Sequence, residues 1–457
     1  MPTESRDHNG EPVLLEGWGR TAPTMGHLVG ATDPELLAAR IKRSDERGII
    51  GRGLGRSYGD AAQNAGGLVV DGVSAAGILS LDVANSLVTA RAGTSLDQLM
   101  TWLIPLGWFV PVTPGTRSVT IGGAIAADIH GKDHHLAGSW CSHVESFRLM
   151  TGDGSVIDVD PEHSPDVFWA TAGGMGLTGV ILDATIRLKP IETSRILVDT
   201  DRAIDLDDCM ALLSEGDDRY DYTVAWIDLV ARGRQMGRSI LTRGRFARLD
   251  EVPDDIAAAP LEFYGSPLAT VPPMPGGLLN KASIRAFNEL WYRKSPWRRR
   301  GEIQTIGAFF HPLDMARNWN RLYGPRGVVQ WQFVVPFESS HVIEQAVRRL
   351  SDAGLSSFLA VLKRFGPGDP GHLSFPIEGW TLALDIPVRT GLGPLLDDLD
   401  GLVAESGGRL YLAKDARMRP ELVPVMYPHL DEWRAIRNEL DPNGHFQSDL
   451  SRRLDLC

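Results

Sequence analysis

Apolar residues in the first third of the chain come in short runs, separated by glycine turns that recur too often for long helices. Leu68-Val69-Val70-Asp71 and Leu87-Val88-Thr89-Ala90 read as strands, and Gly48 to Ile50 leads into a glycine loop. One helix is clear: Leu96, Leu99, Met100 and Leu103 fall at helical spacing, Thr94 or Ser95 can cap it, and Pro105 stops it. The alternation runs to about Lys189-Pro190, the first plausible boundary.

The middle of the chain has a different rhythm. Residues 221–230 (DYTVAWIDLV), 328–335 (VVQWQFVV), 357–363 (SFLAVLK) and 380–388 (WTLALDIPV) read as longer strands, and 342–350 as a helix between two of them. Along the second strand, alternation points Gln330 and Gln332 to one face and Trp331 and Phe333 to the other. Residues 251–300 interrupt this pattern with a proline-rich stretch and then a basic, aromatic one, Trp291 to Arg300, expected to be partly mobile. From about Arg409 the strand-turn-helix texture returns. The chain thus divides into 1–193, a middle domain 194–408, and a return segment 409–457. The expected class is α+β, with the middle domain built on an antiparallel sheet.

Length agrees with more than one domain, since 457 residues exceed the roughly 250–300 at which single cores split. A net charge of −12 argues against a general nucleic-acid binder but allows a local basic patch. Cys141, Cys209 and Cys457 lie far apart, so neither a disulfide framework nor a zinc knuckle is supported. No secretory signal is read at the N-terminus, and no stretch approaches the ~18 apolar residues of a membrane span. A soluble or membrane-peripheral protein is expected, at the envelope or in the cytoplasm.

The 49 glycines cluster. Residues 51–60 (GRGLGRSYGD) could cradle a phosphate with backbone N–H groups. A Rossmann fingerprint would need a third glycine where Tyr58 stands and a helix where 60–67 is glycine-broken, although Asp71 lies about where a ribose-binding acid belongs. Gly55-Arg56-Ser57-Tyr58-Gly59 also matches the G-x-S-x-G elbow of a serine hydrolase using Ser57, but the following helix is missing again. The third reading is a flavin-dinucleotide cradle outside the Rossmann class. It gains from two further small-residue loops, 114–124 leading into Ala127-Asp128-Ile129-His130-Gly131, and 173–181 (GGMGLTGVI). His130, His134 and His135 invite a metal reading, but Gly131 breaks the helix and Lys132 would repel the ion, so no metal is expected.

These loops, with DPNGHF (441–446), resemble the FAD-binding vanillyl-alcohol-oxidase-type oxidoreductases. The likeness extends to GWGRTAP (17–23), ELWYRKS (289–295), HPLDM (311–315), SFPIEGW (374–380), DIPV (385–388), GGRLYLAKD (407–415) and MYPHLDEW (426–433). Within that family the similarity is greatest to the actinobacterial branch that oxidises decaprenylphosphoryl-β-D-ribose for cell-wall arabinan. The resemblance implies a two-domain fold of the PCMH type with an α+β substrate domain. It also implies FAD bound by Gly51, Arg52, Gly53, Leu54, Gly55, Arg56, Ser57, Tyr58, Gly59, Asp60 and Ala61. Gly115, Thr120, Ile121, Gly122, Gly123, Ala127, Asp128, Ile129, His130, Ile181 and Tyr411 would line the rest of the cofactor. Many members of the wider family attach FAD through a histidine in the first loop; Arg56-Ser57-Tyr58 offers none, so non-covalent FAD is expected.

The implied chemistry is oxidation of the ribose 2′-hydroxyl to a ketone, with Lys414, Tyr58, His130 and Gln332 as catalytic candidates. His130 reads equally well as a hydrogen-bonded residue behind the site. Lys132, Trp226, Gln332, Lys363, Phe365, Ala383 and Lys414 are the implied substrate contacts, with core packing the bland alternative for Trp226 and Phe365. Ala383 stands where a number of family members carry an inhibitor-reactive cysteine, so insensitivity to such inhibitors is expected. An NADH-dependent reductase that completes epimerisation to arabinose is the implied partner. The basic run Arg298-Arg299-Arg300 could touch anionic lipid headgroups, each cation contributing about 1 kcal/mol. A flavin oxidase of a soluble sugar alcohol or aldonolactone is the alternative activity.

Overall fold

The computed structural model describes residues 9–263, 269–355 and 357–457. The N-terminal third builds two sheets. Strands β1 (Asn9–Leu15), β2 (Thr24–Gly30), β3 (Ile49–Arg52) and β4 (Leu68–Asp71) form the first, in the order β1-β2-β4-β3, with β2 and β3 both parallel to β4. Strands β5 (Ile78–Asp82), β6 (Leu87–Arg91), β7 (Val144–Met150), β8 (Val156–Val159) and β9 (Val180–Arg187) form an antiparallel second sheet, in the order β5-β6-β9-β7-β8. The Leu96–Leu103 helix packs Leu96, Leu99, Met100 and Leu103 into the core. Ser95 caps it by a reciprocal bond with Gln98, which satisfies donors at the helix start.

The middle of the chain forms one eight-stranded antiparallel sheet: β10 (Arg195–Ala203), β11 (Tyr222–Ile227), β12 (Ser239–Phe246), β13 (Arg298–Thr305), β14 (Val328–Val335), β15 (Ala360–Phe365), β16 (Gly379–Pro387) and β17 (Arg409–Leu410). Its order is β13-β10-β12-β11-β15-β16-β14-β17. Every residue of β14 is buried, as its near-continuous apolar run requires, with the Leu392–Glu405 helix packed against the sheet there. The fold is therefore α+β with a vanillyl-alcohol-oxidase-type FAD-binding portion and an antiparallel sheet beyond it. The basic, aromatic stretch is divided between the 14-residue helix Lys281–Lys294 and the edge strand β13. Residues 264–268, within the stretch expected to be mobile, lie outside the described residues.

The C-terminal segment folds back onto the first sheet. The Ile49 N–H donates to the His445 carbonyl at 2.7 Å, and Arg453 pairs with Asp60 and Asp415, each at 2.7 Å. The first glycine loop is thus clamped between the two ends of the chain.

Candidate active site

The three small-residue loops meet around one cavity of about 1200 Å³. That exceeds the roughly 300–1,000 Å³ of ordinary ligand pockets, leaving room for a dinucleotide and a second ligand together. Its wall takes Gly51 to Tyr58 from the end of β3, Pro114 to Thr116 and Ser118 to Thr120 from the second loop, and Gly179 to Asp183 from β9 and the turn before it. The loops touch: a side chain at Gly53 would land 2.2 Å from the Thr120 hydroxyl.

The first loop has the chemistry of an anion cradle. Among the described residues nothing accepts from the N–H groups of Leu54, Gly55, Arg56 and Ser57, whereas the Tyr58 N–H donates to the Ala413 carbonyl at 2.9 Å. Side chains at Gly51 or Gly115 would project into open space. Arg52 is held by the carbonyls of Ala62 and Glu16, at 2.9 and 2.8 Å, and Arg56 stacks 4.4 Å from the Trp18 ring. Burial lowers both guanidinium pKa values, and for Arg52 the Arg56 charge adds to this, so an anion between them relieves both. Free backbone donors, two arginines and glycines that leave space fit the diphosphate of FAD.

Where the large sheet meets this cradle, half-buried amines gather. The Lys414 Nζ lies 4.5 Å from the Tyr58 ring centroid, and burial brings its pKa down to about 8 against an opposing pull from Asp385. A turn places it: the N–H groups of Lys414 and Asp415 donate to the Tyr411 carbonyl, while the Tyr411 hydroxyl donates to Ala127. Lys132 bonds the Phe309 carbonyl and lies 4.3 Å from that ring; burial lowers its pKa to about 7. Burial likewise brings Lys363 to about 7. The Lys363 Nζ is 3.1 Å from His130 Nδ1, and the Gln332 amide is 3.0 Å from Nε2. Both ring nitrogens are engaged, and burial with the Lys363 charge pushes the pKa well below the ordinary histidine range. His130 thus stands on the cavity wall as a neutral imidazole, less basic than an ordinary histidine.

Of the residues the sequence singled out, most reach the cavity wall, including Ala61, Gly122, Gly123, Ala127, Ile129, Tyr411, Trp226 and Ala383. Five do not. Gly59 is packed so closely on Asp415 that a Cβ would sit 2.0 Å from its carbonyl oxygen. Asp60 is turned to Arg453. Ile121 is wholly buried in the core. Asp128 accepts from Ser139, Ser374 and the Cys141 N–H, closing the loop from behind. Phe365 stands behind the His130 ring, centroids 4.7 Å apart, so it is core rather than substrate contact.

Other readings are also redirected. No helix follows Ser57 before β4, so the hydrolase elbow is absent. The histidines diverge: His134 stacks on Phe365, while His135 faces the carbonyls of Asp217 and Tyr220. Arg298 and Arg300 pair with Asp201, which also holds Arg243, and Arg299 pairs with Glu302, so part of the basic run is tied into the fold. Leu290, Trp291 and Trp297 are exposed beside these arginines, which also stay exposed.

The sequence analysis missed a buried network beside Lys414. The Gln330 amide donates to Asp385 at 2.6 Å and faces the Tyr58 hydroxyl at 3.0 Å, and the Tyr323 hydroxyl donates to the other Asp385 oxygen at 3.2 Å. Burial raises the Asp385 pKa to about 6. One carboxylate inside the apolar strand WTLALDIPV was the available signal. Ala92 and Gly93, also on the wall, were missed because a single small turn carries no pattern.

Residues 27–160 match the family model for an FAD binding domain. The chain is 47% identical over 448 residues to the decaprenylphosphoryl-β-D-ribose oxidase of Mycolicibacterium smegmatis, covering 97% of each. An uncharacterised Streptomyces coelicolor protein is 43% identical over 372 residues, 79% of this chain and all of the relative. A putative D-arabinono-1,4-lactone oxidase of Neurospora crassa is 24% identical, over 84% of this chain and 64% of the relative.

Proposed function

The chain belongs to the FAD-dependent decaprenylphosphoryl-β-D-ribose oxidase family, and from that premise we propose that it oxidises the ribose 2′-hydroxyl of decaprenylphosphoryl-β-D-ribose to the 2′-ketone. Bound FAD supplies the two-electron acceptor for the hydride leaving C2′. The chain's own residues bind, orient and manage charge. The single observation carrying this reading is that Lys414 and Tyr58 meet inside the same cavity as the free N–H groups of the first loop. In this reading the Lys414 side chain holds the hydroxyl oxygen and, as the ammonium, would offset the negative charge that FAD takes on with the hydride. Gln332, fixed on His130, and Lys132 and Lys363 are placed to orient the ribosyl phosphate. Gln330 and Asp385 keep the Tyr58 and Lys414 side chains in register.

FAD is held without a covalent bond in this reading, since among the described residues the cavity wall contains no cysteine and its histidine, His130, has partners at both nitrogens. The 2′-keto product is passed to an NADH-dependent reductase for the second half of the epimerisation. No helix among the described residues is long and apolar enough to cross a membrane. The polyprenyl tail instead stays in lipid, met by the exposed Leu290 and by Phe287 and Trp291, which also line the cavity. In this reading the enzyme works at the periphery of the membrane.

Anaerobic mixing of the holoprotein with decaprenylphosphoryl-β-D-ribose should bleach the flavin spectrum. Free pentitols and aldonolactones should leave it unchanged. Bleaching by the soluble compounds alone would replace this reading with the soluble-substrate oxidase.

A further inference from the structure

We propose that a second hollow, beneath the Lys281–Lys294 helix, binds a phosphomonoester group independently of the flavin cavity. It encloses about 500 Å³ and is walled by Arg202, Arg238, Arg285, Arg293, Gln235 and Tyr292, with Glu289 closing the ring. On the other side of the helix, Phe287 and Trp291 line the flavin cavity, so the helix separates the two.

The charges around this hollow do not cancel. Arg238 bonds Asp228 through Nε and Nη2, at 3.0 and 2.8 Å, and reaches Glu289 at 2.5 Å. The second Glu289 oxygen accepts from Arg293 at 2.5 Å, and the second Asp228 oxygen from Asn288 at 2.7 Å. Both carboxylates are thereby used. Arg202 has only the Tyr292 carbonyl, at 3.4 Å, and its buried Nε has no acceptor among the described residues. Arg285 is exposed and makes no hydrogen bond or ion pair among them. Four guanidinium groups and one carboxylate line the hollow, with Asp228 behind Arg238 and Asp208 near Tyr292, in a chain of net charge −12.

The arginines are also held in place. The Tyr292 ring lies between Arg238 and Arg202, at 4.5 and 5.2 Å, and Trp297 flanks Arg202 at 5.4 Å. The Tyr292 hydroxyl is anchored on the Ala203 carbonyl at 3.1 Å. A local excess of positive charge, with planar donors and a Gln235 amide, matches an anion with three acceptor oxygens. A phosphomonoester has that charge and shape; it could arrive as a lipid headgroup or as a free phosphate.

The test titrates full-length, FAD-loaded protein with inorganic phosphate by calorimetry. In parallel it measures co-sedimentation with phosphatidylcholine vesicles, with and without phosphatidic acid. Arg285→Gln, at an exposed side chain without partners among the described residues, leaves the fold intact, and Arg348→Gln, on the His341–Asp352 helix and outside the wall of the hollow, is the control. Saturable phosphate binding weakened about tenfold by R285Q and not by R348Q supports a site for soluble phosphomonoesters. A phosphatidic-acid-dependent gain in sedimentation that R285Q removes, without phosphate binding, supports a headgroup site. Absence of both, or equal binding by wild type and R285Q, overturns the proposal. Flavin bleaching by the lipid-linked ribose is a separate readout, so this failure is distinct from failure of the proposed function.

Discussion

Lys414 titrates within reach of ordinary assays, because burial has brought it from 10.5 to about 8. Below that pH it is an ammonium; above it the charge is lost. If the charge holds the hydroxyl, kcat falls as pH rises through about 8. Arg, which stays protonated, removes that alkaline limb in Lys414→Arg even at a lower plateau. Lys414→Met lowers kcat by roughly 10²–10³, the scale for losing one donor aimed at developing charge, while the visible flavin absorbance persists. The Asp385 carboxylate pulls the Lys414 pKa upward, so Asp385→Asn should move the limb below that of wild type. A limb that stays put in D385N would remove Asp385 from the network. Ala383 lies on the wall opposite Gln332 in the β14–β16 register. No mass shift should follow turnover with a thiol-directed inhibitor of the family, and Ala383→Cys should restore one. Lys414 and Gln332 were legible in the sequence because their motifs mark them. Asp385 stood in plain view, but its meaning depends on which strand lies beside it. Phe365, at the end of β15, and Asp128, between the second loop and His130, sit on segments that reach the cavity while their own side chains pack away from it.

At the scale of elements, the glycine loops were readable and half of the large sheet was not. β14 and β16 announce themselves as apolar runs. β10, β12 and β13 intersperse charge, as in RRRGEIQT, because each has a polar face and β13 is the sheet edge, where exposed charge discourages pairing with other chains. The arginines read as a lipid-facing patch belong to that edge. The loops themselves make a sharper prediction. Gly51 lies in β3, where a β-branched residue suits the backbone, and its missing Cβ faces open cavity. Gly51→Val should therefore fold yet retain less than about a tenth of its FAD, a loss of more than ~1.4 kcal/mol of cofactor affinity. Gly401, inside the Leu392–Glu405 helix with nothing near its absent Cβ, provides the contrast. Gly401→Ala should raise stability by about 0.5–1 kcal/mol and leave flavin content alone. Flavin content and thermal unfolding of the two variants check both. Acid precipitation of wild type should release all flavin into the supernatant, as a non-covalent cofactor requires.

For the molecule as a whole, we read the division into 1–193, 194–408 and 409–457 as a division of labour: one segment grips the dinucleotide, one faces the substrate, and the last returns to bring Lys414 between them. The cavity is complete only when all three are together, so the contacts holding the return segment matter as much as the cavity wall. Arg453 is the most telling of these. It bridges Asp60, the last residue of the first glycine loop, and Asp415, next to Lys414, and those carboxylates are buried. Removing one partner of such a pair strands the others without water, at up to about 3–5 kcal/mol when burial is complete. With a quarter of the Arg453 side chain exposed, about 1–3 kcal/mol is the expected loss for Arg453→Met. The cost should fall on the junction of loop and turn, and hence on cofactor and chemistry together. R453M is expected to melt earlier, to lose FAD on dilution and to show a lower kcat when saturated with added FAD. Since FAD binds only the folded protein, excess cofactor should recover much of the melting temperature without recovering kcat, because Lys414 remains poorly held. Full recovery of kcat by added FAD would instead mean that the clamp serves the glycine loop alone, and that the turn at Tyr411 suffices to station the lysine.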